Sequence, residues 1–379
     1  MVKSPIRIGI LNDLADAPPN PADIEQWLRL IMDETIASGR ISHPVEFINA
    51  WGLGLPSGGA EAVQRAYENL VADDVLMIVG PAIGDNALIA TPLAEKYRVP
   101  TINWAGSERA RSDYMFQLQV GSHEDESIVL ARYLAAIGAQ RVGVIYDNSP
   151  IGHGHLQFFR AEARIVALQI AAAIEISPLA EHAETQVAAI FFSNSVRANS
   201  LYTNSLGSDS LDSDSLGESS ADAKIDALVY LGLGISAPAV ARAVRAHDWR
   251  GVCAMNTAGI RGYAPAYADA IDGWIYVDLF SDHNTTLAAF YERTQTRARN
   301  KLAAAKGFDI GRLVAEGVAR APELSRDGIK AGLECVKWLP AAQGYDGTLL
   351  GFGNFDRGAL HGRYLVLRQW RDRQSIEVG

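Results

Sequence analysis

The strongest constraint in the sequence is a regular exchange of two hydrophobic periods over the first 120 residues. Short β-branched runs alternate with longer stretches whose apolar residues recur at helical spacing, a pattern that specifies βα units around a parallel sheet. Ile6 to Leu11 is the first expected strand, and Asn20 caps an expected helix with Pro21 at its first position and Ile24, Trp27, Leu28 and Ile31 on one face. Val45 to Ile48 reads as the second strand, and Val63, Ala66, Tyr67 and Leu70 mark the next helix. Val75 to Val79 is an unbroken apolar run, as in a strand covered on both sheet faces, and it ends in Gly80-Pro81. A helix to about Lys96, a strand at Pro100 to Asn103 and the loop Trp104 to Ser107 complete the series.

A second βα series is expected from near Phe116, with Ser122 and Asp125 spaced as a capping box ahead of Ile128, Ala131 and Leu134. Its strands are Arg141 to Tyr146, Ala173 to Ile176, Ala227 to Leu231 and Val252 to Met255, with helices from about Gly152 and over Pro238 to Ala246. Ile271 to Asp278 then reads as a strand, Thr285 to about Ala304, Phe308 to Arg320 and Asp327 to Val336 as helices, and Tyr364 to Trp370 as a final strand. The class is α/β, with two successive open layers. A late strand after late helices predicts a chain that crosses between lobes more than once.

One segment breaks the pattern. Asn194-Ser-Val, Asn199-Ser-Leu, Asn204-Ser-Leu, Asp209-Ser-Leu and Asp214-Ser-Leu recur every five residues, giving five copies across 194–218. Few copies rich in Ser and Asp cannot bury a core of their own, so a disordered or loosely ordered expansion is expected, with a small ordered excrescence as the alternative. Deleting 194–218 is expected to leave the melting temperature and ligand binding nearly unchanged, because a long loop contributes mainly closure entropy. A deletion variant without a cooperative melt would contradict this.

Composition narrows the function classes. A length of 379 residues suits two domains, and 48% apolar residues suffice for their cores. The net charge of −10 has the wrong sign for a nucleic-acid partner. No apolar stretch reaches the roughly 18 residues of a membrane span, so no direct membrane insertion is expected. The N-terminus runs into a strand without an export signal, which reads as cytoplasmic, or as periplasmic if a leader has been removed or the start misassigned. Cys253 and Cys335 are expected as two buried thiols, with a bridge between them left open.

Catalytic signatures are missing: there is no GxSxG elbow, no HExxH and no P-loop, and the eight His residues are scattered. No catalytic residue, metal or cofactor is therefore assigned. Gly232-Leu-Gly234-Ile-Ser-Ala237 has the form of a GxGxxA dinucleotide turn, but the strand at Val252 to Met255 ends in Asn256 and Thr257 instead of an acid for the ribose. An NAD-dependent enzyme is a minor alternative beside a plain glycine-rich turn lining a cleft. Glu124, Asp125 and Glu126 open a helix, where the macrodipole alone explains them.

Ligands of open α/β sheets bind at the carboxyl ends of strands, where helix N-termini present N–H groups. Three such turns are rich in small residues: Gly80 to Asp85, Asn103 to Ser107 and Asp147 to Gly154. With Ile6 to Ile10, Val75 to Gly80, Val99 to Ser107, Arg141 to Asp147, Gly152-x-Gly154, Phe308 to Leu313 and Asp327 to Glu334, they give a chain that resembles the type I periplasmic binding proteins, specifically the branched-chain amino acid binding proteins of ABC transporters.

The resemblance implies two Rossmann-like lobes joined by three crossovers and closing like a flytrap on a small molecule. It divides the chain into 1–120 with 256–336, and 121–255 with 337–379. It implies ligand contacts from Gly84, Asp85 and Asn86 after the third strand, and from Trp104, Ala105 and Ser107 after the fourth. Ser107 keeps the family's hydroxyl. Ile151 stands where the family usually has an aromatic cover, Gly234 lies in the glycine-rich turn, and Thr257 replaces the acid that takes an α-ammonium. Burying an ammonium without a carboxylate costs several kcal/mol, so a free amino acid fits only if Asp85 substitutes. A small apolar or aromatic carboxylate, or an amide, is expected. The implied partner is an ABC permease. The alternative is a regulatory protein, if the chain is a cytoplasmic sensor similar to the amide-sensing relatives.

Overall fold

The structure is a computed structural model that describes residues 3–13, 23–51, 59–192, 225–295 and 301–378. The expected cap at Asn20-Pro21 and the repeat over 194–218 lie outside these residues. In chain order the first elements are β1 (Ile6–Leu11), α1 (Asp23–Ala37), β2 (Val45–Ala50), α2 (Ala60–Ala72), β3 (Met77–Val79), α3 (Gly84–Tyr97), β4 (Thr101–Asn103) and β5 (Met115–Gln117). Next come α4 (His123–Ala136), β6 (Arg141–Asp147), α5 (Pro150–Ile165), β7 (Gln169–Ile176), α6 (Glu184–Phe192), β8 (Ala227–Leu231), α7 (Ala237–Ala246) and β9 (Val252–Met255). A 3-10 turn over Thr257–Tyr263, α8 (Pro265–Ala268) and β10 (Ile275–Asp278) follow. The chain ends with α9 (Thr285–Thr294), α10 (Lys301–Ala319), α11 (Arg326–Glu334), β11 (Leu339–Pro340), β12 (Leu349–Leu350), β13 (Leu360–His361), β14 (Val366–Arg371) and β15 (Gln374–Glu377).

Two compact units result, 1–125 with 278–367, and 126–277 with 368–378, so the chain passes from one to the other after Asp125, Val277 and Leu367. The boundaries differ from the sequence expectation in two places. Residues 256–277 belong to the second unit, because β10 continues its sheet by pairing with β9 in parallel register, Ile275 opposite Ala254. Residues 337–367 belong to the first: Leu360 N donates to Gln119 Oε1 at 2.9 Å, and Arg357 reaches Asp113 and Glu334 at 2.7 Å each.

In the first unit β2-β1-β3-β4-β5 form one sheet, with every neighbouring pair parallel. Its central strands are apolar on both faces, with Ile8, Ile10, Ile78 and Val79 fully buried, as helices on two sides require. β5 was expected to start the second series and instead closes this sheet: Met115 to Gln117 are all buried and pair with β4. α10 lies against α1 because Gly307 and Gly311 face it; a Cβ on Gly307 would come 2.1 Å from Trp27 Cδ1. The single helix expected from Thr285 to Ala304 is two, since Gln295 ends α9 in the left-handed region at φ 52°.

The second unit holds a seven-stranded sheet in the order β15-β14-β10-β9-β8-β6-β7. The final strand was foreseen; its antiparallel partner β15 was not, because Asp372 and Arg373 turn the chain with φ 49° and 62°, values no local motif announced. Trp370 anchors this edge, 2% exposed and stacked on Tyr276 with ring centroids 5.5 Å apart. Both cysteines are free thiols. Cys253 is half-buried and Cys335, at the end of α11, is exposed, so the expected buried pair is not found.

Each unit winds in the same sense. β1 lies between β2 and β3, and β6 between β7 and β8, so the strand order reverses at β1/β3 and at β6/β8. At such a reversal the connections leave to opposite faces, and a crevice opens at the carboxyl ends of the strands.

Candidate functional site

At the first reversal the chain leaves β1 through Asn12 and Asp13. Asp13 is buried, and its two carboxylate oxygens accept the Ala82 and Ile83 N–H groups at 2.8 Å each, with Asn86 Nδ2 donating at 3.0 Å. The carboxylate thus pins the entry to α3 across the strand reversal. Gly84 is the first residue of that helix, and a Cβ built on it would lie 3.9 Å from Ser107 Cβ. Ser107 is held from behind: its carbonyl accepts Ala110 N at 3.1 Å and Gln117 Nε2 at 3.0 Å, while its hydroxyl has no partner among the described residues. Asp85 is exposed on the first turn of α3. His123 lies close enough to feel the Asp85 charge, yet burial dominates and lowers the imidazole pKa, favouring its neutral form. Burial, and then repulsion from Glu108 and Asp125, raise the Glu124 pKa.

The second unit repeats the device. Asp147 ends β6, fully buried, and accepts Leu233 N at 2.5 Å from the turn after β8, the Tyr230 hydroxyl at 3.3 Å and the Ser149 hydroxyl. Burial outweighs these donors and raises its pKa. Ser149 also caps α5 by accepting Gly152 N at 3.0 Å. Asn256, at the end of β9, bridges strand ends: its amide brackets Gly232, accepting N–H at 3.2 Å and donating to the carbonyl at 3.0 Å. The same Nδ2 lies 3.0 Å from His155 Nε2. Thr257 N donates to the buried Glu126 carboxylate at 2.6 Å. Among the described residues no group of three or more His, Cys, Asp or Glu side chains is placed to hold a metal ion.

Residues 5–363 match a family model described as periplasmic binding protein. The chain belongs to the periplasmic binding protein family. No curated protein matches the sequence. Solved structures carry the same fold. One is a leucine binding protein from Thermotoga maritima, 13% identical with TM-score 0.73, the match covering 99% of this chain and 98% of that one. A periplasmic binding protein type 1 from Bordetella pertussis is 15% identical with TM-score 0.75, covering 99% and 100%. An ABC transporter substrate-binding protein from Desulfitobacterium hafniense, in complex with Leu, is 14% identical with TM-score 0.75, covering 99% and 100%.

In this periplasmic binding protein the expected contact residues separate by what already holds them. Gly84 and Ser107 are neighbours, and Asp85 stands beside them on the same turn. Asn86 is turned inward to Asp13. Ala105 has both backbone groups engaged, its N–H to Asn103 Oδ1 at 3.0 Å and its carbonyl to Gln117 Nε2 at 2.5 Å. Trp104 is 5% exposed, its indole N–H lacks a partner among the described residues, and Lys306 Nζ stands 5.4 Å from its ring centroid. Ile151 is half-buried in the first turn of α5. Gly234 has a packing reason: at φ 84° a Cβ would meet Ala258 Cβ at 2.9 Å, and its N–H donates to the Tyr230 hydroxyl. A pyrophosphate would find the preceding amide, Leu233 N, already bonded to a carboxylate, which argues against the dinucleotide reading. Thr257 keeps an unbonded hydroxyl among the described residues, while its N–H is used.

Sequence reading missed Asp13, Gln117, Glu126, His155 and Asn256. The two acids themselves stand at visible strand ends, but nothing local marks the amides they clamp. Asp13 follows the last residue of β1 by two positions and Asp147 is the last residue of β6, so each unit carries an acid at the end of its first strand.

Proposed function

We propose that this periplasmic binding protein is a non-catalytic substrate-binding component that closes on a small ligand and delivers it to an ABC permease. The observation that carries the reading is the pairing of Gly84 with Ser107 at the carboxyl end of the first sheet, with the Ser107 hydroxyl left without a protein partner among the described residues. Membership of the family over residues 5–363 supports the transport role and a periplasmic site of action. No described helix is long and apolar enough to cross a membrane, which fits a binding component with a separate permease.

On the first unit the proposed contacts are Gly84, Asp85 and Ser107, with Trp104 as an apolar wall. On the second unit Ile151 and Thr257 are the proposed contacts of its own strand-end face. Asn86, Ala105 and Gly234 are assigned to shaping these turns, since their polar groups are already engaged. A free α-amino acid requires a carboxylate for its ammonium, and Asp85 is the exposed candidate.

A thermal-shift screen against amino acids, amides, short-chain acids and aromatic carboxylates tests the reading. A ligand at 100 times its Kd stabilises by about 2.7 kcal/mol, enough for a clear saturable shift. Ser107→Ala is expected to weaken the hit by about 1–3 kcal/mol, the range for losing one buried hydrogen bond. Unchanged affinity in calorimetry would remove Ser107 from the site.

A further inference from the structure

We infer that the first unit carries a second small-molecule site, a groove between α1, α9 and α10 that takes an organic monoanion with an apolar body, its carboxylate held by Arg293 and Arg312. The groove has a volume of about 530 Å³, within the range of small-molecule sites, and shares no residue with the strand-end turns. It stands whether or not those turns bind a ligand. α9 and α10 meet through Phe290 and Phe308, whose rings stack with centroids 4.1 Å apart at an interplanar angle of 21°. The guanidinium carbons of Arg293 and Arg312 lie 5.7 and 5.0 Å from the Phe308 centroid, so one ring gathers both cations. Burial lowers the Arg312 pKa, Asp309 and Glu316 act against this, and the nearby Arg293 charge lowers it further.

The protein's own acceptors leave this pair of cations underused. Arg312 is largely buried, with its side chain 18% exposed. Its Nη1 donates to Pro340 O at 2.5 Å and stands 3.7 Å from Asp309, while Nε and Nη2 have no acceptor among the described residues. Asp309 is a poor partner, because its two oxygens already accept Ala342 N and Gln343 N. Glu34 pairs with Arg293 at 2.6 Å, and Glu316 is shared between Arg40 at 2.6 Å and Arg320 at 2.8 Å. Four guanidinium groups (Arg40, Arg293, Arg312, Arg320) therefore meet three carboxylates (Glu34, Asp309, Glu316), an excess of one positive charge that selects a monoanion. A partly desolvated guanidinium with donors to spare recognises a carboxylate through two parallel N–H···O bonds. Ile31, Ala289, Phe308 and Pro340 line the same groove and give the ligand body an apolar wall.

The test titrates 4-fluorobenzoate into the full chain, followed by fluorine NMR and calorimetry. Saturable binding with a Kd of about 1 mM or tighter is expected, a modest demand on a ligand of this size. Arg293→Gln and Arg312→Gln are each expected to weaken it at least tenfold. If the probe also fills the strand-end face, the stoichiometry of two should fall to one in each arginine variant. Acetate, which has the head group without the body, is expected to compete at least tenfold more weakly. Arg293 is about half exposed, so its variant decides the matter even if Arg312→Gln does not fold. Probe binding that is lost in Ser107→Ala and unchanged in both arginine variants would place the probe on the strand-end face, overturning the second site while leaving the binding-protein reading intact. Absence of saturable binding to a cooperatively melting protein overturns the inference as well, and acetate competing as strongly as 4-fluorobenzoate overturns the apolar wall.

Discussion

Trp370→Ala is expected to destabilise the second unit by about 3–5 kcal/mol, the range for emptying a buried aromatic site. The indole is 2% exposed, stacks on Tyr276 at an interplanar angle of 6°, and meets the Tyr263 ring edge-on with centroids 5.1 Å apart. Its Nε1 donates to Gly259 O at 2.9 Å, and Gly262 lacks a side chain because a Cβ there would fall 2.3 Å from the ring. Truncation would therefore leave a void that glycines cannot fill, and an unpaired carbonyl in the 3-10 turn. Urea unfolding followed by circular dichroism is the measurement. Trp370→Phe should recover most of the packing while still losing the hydrogen bond, at about 1–2 kcal/mol. A loss below about 1 kcal/mol for alanine would mean that the last strands are dispensable to the unit.

Asp309 should make stability fall as pH rises through the weakly acidic range. It is completely buried on α10, where it accepts Ala342 N and Gln343 N at 2.9 Å each. Burial, only partly offset by Arg312, raises its pKa to about 6. Below the unfolded value near 4 both states hold the proton and the group is neutral in its effect. Between the two values the native state holds a proton that the unfolded state has lost, so stability declines with rising pH, by about 3 kcal/mol in all, and levels off above the folded value. Glu316 has the opposite slope. Its hydrogen bond to Arg40 leads the causes that lower its pKa to about 2, so its contribution is present above the unfolded value and lost in stronger acid. The difference between wild type and Asp309→Asn isolates the first effect: the variant should lack the decline between about pH 4 and pH 6. Equal slopes in chemical denaturation across that window would refute it.

The device shared by Asp13 and Asp147 marks how far the sequence could be read. Strand ends, glycine-rich turns and the hydroxyl at Ser107 are local features, and they pointed to the two strand-end faces proposed above for ligand contact. What occupied the amides of those turns was not local. Asp13 and Ile83 stand 70 positions apart, and Asp147 and Leu233 stand 86 apart. Nothing in either neighbourhood announces its partner. The same separation explains Gly234, which reads as half of a dinucleotide motif until Ala258 and Arg261 are found against it. Asn256 looked like a missing ribose acid and is the amide that brackets Gly232.

Hydrophobic period, capping residues and punctuation by glycine and proline were enough to determine the α/β class, most of the longer strands and helices, and the family's order of turns, but not the short strands β11, β12 and β13 or the edge strand β15. Each depends on contacts a few residues apart, which a single sequence displays directly. The tertiary structure alone decided that β5 closes the first sheet, that 256–277 pairs into the second unit and 337–367 into the first, and that each strand reversal holds a carboxylate of its own. Those outcomes turn on which of several similar apolar edges finds a complementary partner, and on buried donors finding acceptors. Both are long-range matters of packing and desolvation, and they leave no mark on the local pattern.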